Sequence, residues 1–327
     1  MRVVMPLALV VALALIAWAG WAIHLQGFFG VLVPYLAALA FVVGFCMKVV
    51  DWAKSAVPFK IPTTAGQQKT LPWINHSRLD NPFTTKEVVL RMFFEVFFFR
   101  SLFRNLKGEI RTGPSLIYGP TKWLWLFAIM FHYGFFVVIL HHLRLATHPV
   151  PGPIAFFDRL DSMFQIGASP IYLSGFLLLF GVTALLLRRL LIPQLRYISL
   201  VNDYFPLFLI MGIVITGMLM RYVVRTDIVA VKALIMGLVT FHPTVPDGIG
   251  AIFYIHLFLV CCLFAYFPFS KLMHMGGVFM SPTRNLPNNN RAVRHVNPWN
   301  PKVKLHTYEE WVEDYRDKLK EAGIPID

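Results

Sequence analysis

The sequence predicts an all-α fold, a polytopic membrane bundle of six transmembrane helices. Hydrophobic residues make up 57% of the 327 residues, a share that lipid rather than a soluble core must cover. Six apolar segments are each long enough to cross the hydrocarbon core of a bilayer. Lys and Arg gather in the connections on one side, as is typical of a membrane-spanning protein.

The first two apolar segments, Val3–Ile23 and Phe29–Val50, predict an N-terminal transmembrane hairpin over residues 1–50. Arg2 and the triplet Ala17–Ala19 loosely match a signal peptide and its cleavage site. The second segment follows after only a short connector, which favours an uncleaved membrane anchor over a cleaved signal.

Residues 51–121 are rich in Lys, Arg, Pro and polar side chains, which predicts a cytoplasmic loop. One apolar segment inside this loop, Lys86–Phe103, is interrupted by charges at Arg91, Glu95 and Arg100. Three charges are too many for a comfortable membrane span. We expect an interfacial helix, or a helix covered by a partner subunit.

The remaining four spans are predicted within residues 122–275. They are Trp123–Leu145, Pro170–Leu187, Tyr204–Met220 and Ile249–Met273. A shorter apolar segment, Ile228–Phe241, contains Lys232 and is expected to lie on the surface or to fold partly back. Residues 276–327 are predicted to form a polar cytoplasmic tail that ends in a charged helix, Tyr308–Ala322.

The distribution of basic residues predicts the orientation. With six spans and both termini in the cytoplasm, the inner connections hold 25 of the 30 Lys and Arg residues and the outer connections hold five. This bias indicates a multi-pass protein of the cytoplasmic (inner) membrane. The formal charge of +13 then reflects topology and contact with lipid headgroups of the bilayer. No basic and aromatic module stands apart from the apolar segments, so we expect no nucleic-acid partner.

The three cysteines, Cys46, Cys261 and Cys262, lie within apolar segments. None forms a C-x-x-C pair, and no C-x-x-C-H motif for covalent haem attachment is present. The chain therefore has no common spacing for an iron–sulfur cluster of its own.

Four histidines lie in or at the ends of two antiparallel spans, where an imidazole is costly unless something binds it. In the predicted topology His142 and His256 lie on the outer side, and His132 and His274 lie on the inner side. Each pair offers two axial imidazoles to one haem b, which needs facing ligands and an apolar slot for the porphyrin. The sequence thus predicts two haems b, held in a four-helix membrane domain over residues 122–275.

Helical phase favours His142 as a ligand over its neighbour His141. At about 100° per residue, a spacing of ten residues separates His132 and His142 by roughly 80°, whereas nine residues put His141 on the opposite face. On the later span, the 18 residues from His256 to His274 return to the same face.

The two pairs are unequally spaced, with a rise of about 15 Å on one helix and about 27 Å on the other. Straight helices would not satisfy both pairs, so we expect a kink at Pro268. Histidines that bond neighbouring helices, or that carry protons in a proton-coupled transporter, remain alternatives. No inverted repeat and no acidic residue at membrane depth support the transporter.

Arg144, His148 and His242 lie on the outer side and are the candidate residues for a quinone site. A quinone needs an apolar slot open to lipid and a few polar groups for its carbonyls. His148 or His242 would exchange protons with it. Other polar residues share that side, and the choice among them stays open: Asp158, Arg159, Asp161 and Arg225.

Ligand pairs spaced ten apart on one helix and eighteen apart on a later one resemble the gamma subunit of respiratory nitrate reductase. That resemblance covers residues from about 120 to 280. It implies a nitrate-reductase-gamma-like core with His132 and His274 on the haem proximal to the cytoplasm, and His142 and His256 on the distal haem. The N-terminal hairpin and the loop Asp51–Thr121 are not part of that subunit.

The segment His274–Pro301, HMGGVFMSPTRNLPNNNRAVRHVNPWNP, is similar to the M subunit of the membrane DsrMKJOP complex of sulfur metabolism. It is also similar to the cytochrome b subunit of membrane heterodisulfide reductase. The resemblance to the M subunit implies menaquinone as substrate and a cytoplasmic iron–sulfur K subunit as partner. In the whole complex it further implies a periplasmic multihaem cytochrome c, a periplasmic iron–sulfur protein and a second membrane subunit.

We therefore expect an electron-transfer subunit of a membrane oxidoreductase complex. It would pass electrons between menaquinol and the cytoplasmic iron–sulfur subunit in dissimilatory sulfur metabolism. The alternatives are a gamma-type cytochrome b subunit of another respiratory oxidoreductase, a proton-coupled transporter, or a structural membrane anchor.

Overall fold

A computed structural model describes residues 2–55, 66–113, 115–166, 169–293 and 305–326 of the chain. The protein is predominantly helical. Among the described residues, six helical segments are long and apolar enough to cross a membrane. The predicted all-α class with six candidate spans is confirmed.

The first hairpin consists of α1 (Val4–Ala22) and α2 (Val33–Lys54), and a π-helical turn at Phe28–Leu32 leads into α2. Pro34 lies in the first turn of α2. The π-helical turn before it already departs from the regular α-helical hydrogen-bond pattern, so the proline is accommodated within a continuous helical span.

The apolar segment of the loop that we predicted to be cytoplasmic forms α3 (Thr85–Phe98) and the short α4 (Arg100–Phe103). Thr84 caps α3 by accepting a hydrogen bond from the backbone N–H of Glu87. The two helices are separated by Phe99, which adopts a left-handed conformation with φ of 50°. A helix is therefore present where we predicted one, but it is broken near its end.

Two strands follow, β1 (Leu106–Arg111) and β2 (Ser115–Pro120), which pair antiparallel with Leu106 opposite Pro120. We predicted no strands in this loop. The polar and apolar residues alternate over too few positions to be distinguished from a turn-rich loop by pattern alone. Gly113 has φ of 90°, a conformation that a residue with a side chain rarely adopts, and so permits the reversal of the chain.

The following residues supply the other four spans and their connections. The elements in order are α5 (Lys122–Leu143), α6 (Gly152–Asp161), β3 (Phe164–Ile166), β4 (Ser169–Ile171), α7 (Leu173–Leu191), α8 (Pro193–Ile198), α9 (Val201–Leu219), α10 (Ile228–Val239) and α11 (Ala251–Tyr266). A π-helical turn at Met220–Val224 extends α9. The chain continues with α12 (His274–Met280) and α13 (Tyr308–Glu321).

The predicted span boundaries differ from those in the structure, and two of the differences have a local cause. The fourth span begins at Leu173 rather than Pro170, because Ser169–Ile171 pairs with Phe164–Ile166 as a small antiparallel ribbon. The sixth span leaves the α-helical conformation after Tyr266 and continues as a 3-10 turn, Phe267–Phe269, which contains Pro268. The expected distortion of this helix at the proline is confirmed.

The core lies where α7, α9 and α11 meet the N-terminal helix. Leu178, Val182, Leu209 and Leu259 are almost fully buried there, and Val10 of α1 belongs to the same cluster. α1 packs against both α9 and α11, and α2 packs against α11. The N-terminal hairpin thus shares one apolar core with the other four spans.

α10 begins at Asp227, whose carboxylate accepts hydrogen bonds from the backbone N–H groups of Val229 and Ala230. Leu234 is fully buried in a second cluster, with Phe29 and Tyr254. The short apolar helix therefore folds back against the bundle, which was one of the two arrangements we expected.

Candidate functional site

The structure brings the four span histidines together as two pairs. The ring centroids of His132 and His274 are 6.0 Å apart, and their planes cross at 83°. The centroids of His142 and His256 are 6.2 Å apart, and their planes are inclined by only 14°. α5 carries the first member of each pair, and the sixth span and its extension carry the second.

Each of the four rings is oriented through Nδ1, which has an oxygen partner at 2.7 to 3.0 Å. The partners are the carbonyls of Ala128, Val138 and Lys271 for His132, His142 and His274, and the hydroxyl of Thr216 for His256. A carbonyl oxygen only accepts, so Nδ1 carries the proton in the first three rings. The opposite nitrogen, Nε2, is then the one with a free lone pair for a metal.

The hydroxyl oxygen of Thr216 accepts the Nδ1 proton of His256, as the backbone carbonyls do for the other three histidines. The Thr216 hydroxyl lies 2.8 Å from the carbonyl oxygen of Gly212 and 3.0 Å from that of Ile213, so it donates its own proton to the backbone. Its oxygen is left to accept from Nδ1 of His256 at 3.0 Å. His256 is buried, and a Cβ at the adjacent Gly217 would lie 3.2 Å from its Cε1. The ring is therefore held on one face by backbone.

These side chains fit a haem group. A metal–imidazole bond is about 2 Å long, so two imidazoles on opposite sides of one iron place their ring centroids roughly 6 Å apart. α5 packs along α7, and α11 packs against α1, α2 and α9, whereas α5 and α11 do not pack along each other. This separation leaves space between the facing histidines. Within the described residues no group of three or more metal-binding side chains converges.

The unequal spacing of the pairs is reconciled by the interruption after α11. Ser270 has an extended backbone conformation, and a second 3-10 turn, Lys271–Met273, precedes His274. The Nζ of Lys271 contacts a carboxylate oxygen of Asp203 at 2.7 Å. We call this interrupted segment, residues 267–273, the His274 hook; Lys271 binds it to α9. It allows His274 to reach His132 although 18 residues separate His274 from His256.

His141 belongs to a different environment. Its Nδ1 lies 3.6 Å from a carboxylate oxygen of Asp161, and its ring lies 4.7 Å from that of Tyr172. Its Nε2 is buried and has no hydrogen-bond partner. The ring thus faces α6 and the start of α7, away from the two histidine pairs, as its helical phase predicted.

A pocket of about 620 Å³ lies between α6 and α10, and the residues that follow α5, Arg144 and Leu145, also line it. Its apolar wall includes Leu145, Val150, Ile154, Ala155, Ile228, Val229, Ala233 and Met236, and its polar groups are Arg144, Asp158, Arg159 and Lys232. Of the three residues predicted for a quinone site, Arg144 lines this pocket. His148 and His242 are exposed and lie outside its lining.

The pocket shows what the sequence reasoning missed. Lys232 is a single cation within an otherwise apolar helix, and such an isolated charge is itself an indication of a functional site. Arg159 was noted only as one of several charges on this side. Both line the pocket together with Arg144, which places three cations against a largely apolar wall.

Arg144 is fixed by a polar network. Its guanidinium contacts Asp158 at 3.0 Å and donates to the hydroxyl of Tyr172 at 3.1 Å, and that hydroxyl donates to Asp158. The guanidinium of Arg221 lies 4.0 Å from the centroid of the Tyr172 ring. Burial raises the pKa of Tyr172, so the phenol stays protonated at neutral pH. Arg144 is consequently held in one orientation at the edge of the pocket.

Replacing Thr216 with Val tests whether the His142 and His256 pair holds a haem. The change preserves the shape of the side chain but removes the hydroxyl oxygen that Nδ1 of His256 bonds to. Loss of such a ligand-orienting contact typically weakens metal binding roughly 10- to 100-fold. We expect Thr216→Val to release one haem more readily, measured as haem per protein after purification, whereas Thr216→Ser retains it. Equal haem retention in both variants would contradict this role.

The nitrate reductase gamma subunit family matches residues 88–295. The Hdr-like menaquinol oxidoreductase cytochrome b-like subunit of Archaeoglobus fulgidus is 45% identical over 280 residues, which cover 84% of this chain and 83% of that protein. The protein of the same description from Archaeoglobus profundus is 41% identical over 279 residues, 83% of this chain and 82% of that protein.

A more distant relative is the respiratory nitrate reductase 1 gamma chain of Escherichia coli. It is 30% identical over 162 residues, which cover 46% of this chain and 69% of that protein. The matched residues 88–295 contain both histidine pairs. The two archaeal relatives extend the similarity over most of the chain.

Proposed function

Since the chain belongs to the nitrate reductase gamma subunit family, we propose that it is a dihaem membrane cytochrome b that passes electrons between menaquinol and a cytoplasmic iron–sulfur protein. The observation that carries this proposal is the arrangement of the four span histidines. Two facing pairs have ring centroids 6.0 and 6.2 Å apart, and each ring is oriented through Nδ1.

In this proposal His142 and His256 hold the outer haem, and His132 and His274 hold the inner haem. A bound haem b supplies a one-electron carrier. The residues of this chain fix the axial imidazoles through Nδ1 and keep Nε2 free for the iron. Both termini lie in the cytoplasm, the inner pair lies on that side of the membrane, and electrons cross between the two pairs.

The pocket between α6 and α10 would receive the quinone headgroup. Its apolar wall suits the ring and the isoprenoid tail, and Arg144, Arg159 and Lys232 supply donors for the two carbonyl oxygens. Oxidation of the quinol releases two electrons and two protons. The protons would leave on the outer side, and His148 and His242 remain candidates for exchanging them with solvent.

Replacing Lys232 with Ala tests the quinone pocket. A hydrogen bond to a charged group contributes about 1.5–3 kcal/mol, so we expect the KM for a water-soluble menaquinol analogue to rise roughly tenfold or more. The measurement is the rate of haem reduction as a function of quinol concentration. Arg225→Ala is the matched control, since Arg225 is an exposed cation outside the pocket lining. An equal effect of both substitutions would contradict the assignment.

We further propose that the chain works in dissimilatory sulfur metabolism, as the M-type subunit of a larger complex. Its partners would be a cytoplasmic iron–sulfur subunit of the K type, a periplasmic multihaem cytochrome c, a periplasmic iron–sulfur protein and a second membrane subunit. The similarity to two Hdr-like menaquinol oxidoreductase subunits supports this choice over a gamma subunit of another respiratory oxidoreductase. Co-purification of a molybdenum enzyme in place of these partners would contradict it.

A reduced-minus-oxidised difference spectrum of the purified chain tests the central proposal. We expect the absorption bands of haem b after reduction with dithionite. A chain purified from a haem-sufficient host that shows no such band would contradict the cytochrome and favour the alternatives of a transporter or a structural anchor.

A further inference from the structure

The charges that interrupt the apolar segment of the cytoplasmic loop have no part in the proposed electron transfer. Arg91 and Glu95 lie one turn apart on α3, and both are buried, with exposed fractions of 7% and 9%. A charge buried to this degree requires partners, because its removal from water is costly. The partners of Glu95 connect it to both sides of the inner histidine pair.

One oxygen of the Glu95 carboxylate is directed toward the break between α3 and α4. Its Oε2 accepts hydrogen bonds from the backbone N–H of Ser101 at 3.1 Å and from the Ser101 hydroxyl at 2.6 Å. Two residues earlier is Phe99, in its left-handed conformation. Its ring centroid lies 4.9 Å from that of His132, edge to face.

The left-handed conformation of Phe99 is unfavourable for a residue with a bulky side chain, so the surrounding contacts must hold it. α5 contributes two of these contacts. Trp125 donates from its indole to the carbonyl of Phe98 at 2.8 Å, and Tyr133 donates from its hydroxyl to the carbonyl of Phe97 at 2.8 Å. Together with Ser101, they fix the turn that places Phe99 against His132.

The other oxygen of the carboxylate is directed toward the tail. Its Oε1 lies 3.2 Å from the guanidinium of Arg284, ten residues beyond His274. The tail is also fixed at Asn288, whose backbone N–H donates to the carbonyl of Pro82 and whose side chain donates to Asn81 at 3.0 Å. The segment that follows the His274 hook is thus tied to the cytoplasmic loop.

We propose that Glu95 is a positioning residue for the inner haem site. Its carboxylate links the turn that places Phe99 on His132 to the tail that begins at His274. The inference rests on the proposed function, since it assumes a haem between those two histidines. The link is needed because α5 and α12 do not pack along each other, so other contacts must set the separation of the two imidazoles.

The experiment uses the full-length, haem-loaded protein and compares Glu95→Ala, Glu95→Gln and Arg284→Ala. Glu87→Ala is the matched control. Glu87 is also a carboxylate of α3, but it lies at the start of the helix, where its side chain caps the helix and pairs with His76. The low-spin ferric signals of the two haems are recorded by electron paramagnetic resonance. Their midpoint potentials are measured by redox titration. His132→Ala and His142→Ala assign each signal to the inner or the outer haem.

We expect Glu95→Ala to shift the signal and the potential of the inner haem and to speed its transfer to apomyoglobin roughly tenfold, as for other residues that orient a metal ligand. Arg284→Ala should change the inner haem in the same direction by a smaller amount. Glu95→Gln, which keeps an acceptor for Ser101 but loses the charge, should fall between Glu95→Ala and the unmodified protein. The outer haem should be unchanged throughout, and Glu87→Ala should change neither haem.

The inference is overturned if Glu95→Ala and Arg284→Ala leave the inner haem unchanged, or if Glu87→Ala shifts it as much as Glu95→Ala does. Should Glu95→Ala fail to fold, Arg284→Ala decides alone, because the Arg284 side chain is 37% exposed and its removal leaves no buried cavity. Failure of the proposed function looks different: the unmodified protein would then lack two haem signals.

Discussion

Replacing His132 with Ala is expected to remove one of two haems, whereas replacing His141 with Ala is expected to leave both. The ring of His132 faces that of His274 across 6.0 Å, and no other histidine of the described residues lies against that pair. A haem b with one axial ligand missing is bound far more weakly, because the iron loses half of its protein ligation. The ring of His141 instead lies against Tyr172 and Asp161.

The measurement is the ratio of haem to protein, with difference spectra to identify the haem that remains. His274→Ala should remove the same haem as His132→Ala, and His142→Ala and His256→Ala should both remove the other. Equal haem loss in the His132 and His141 variants would contradict the ligand assignment. Loss of different haems from His132→Ala and His274→Ala would instead contradict the pairing.

The histidine pairs were accessible to sequence reasoning because they depend on local, periodic properties. The apolar runs gave the spans, the charge bias gave an orientation, and the helical period separated His142 from His141. Depth alone then matched His142 with His256, whose rings lie 6.2 Å apart in the structure. The break at Pro268 followed from the chemistry of one residue.

The remaining features depend on contacts between distant parts of the chain. Asn81 and Asn288, which bond each other, are 207 positions apart, and nothing local to either residue indicates the other. Glu95 was visible only as a charge that disfavours a span, since its two partners come from α4 and from the tail. The pocket was missed for the same reason: its cations come from α5, α6 and α10, and only the packing of those helices brings them together.

The close packing of α5 against α7 is made possible by two glycines. A Cβ at Gly181 would lie 2.7 Å from the backbone nitrogen of Phe131 and 2.9 Å from its Cα. A Cβ at Gly134 would lie 2.9 Å from the backbone nitrogen of Leu178. Small residues allow such backbone contact between membrane helices, where van der Waals packing rather than the hydrophobic effect drives association. Because Phe131 precedes His132, this contact also sets the position of His132, the proposed ligand of the inner haem.

Gly181→Ala is therefore expected to destabilise the protein and to shift the midpoint potential of the inner haem more than that of the outer haem. The new methyl group meets backbone rather than a flexible side chain, so α5 must move, and overpacking of this kind costs about 1–3 kcal/mol. The measurements are the midpoint of thermal unfolding and the midpoint potential of each haem. Gly175→Ala is the matched control on α7, since a Cβ there meets nothing within 4 Å and Ala favours the helix over Gly by about 1 kcal/mol. If both substitutions gave the same unfolding midpoint and the same inner-haem potential, α5 would not depend on this contact for its position.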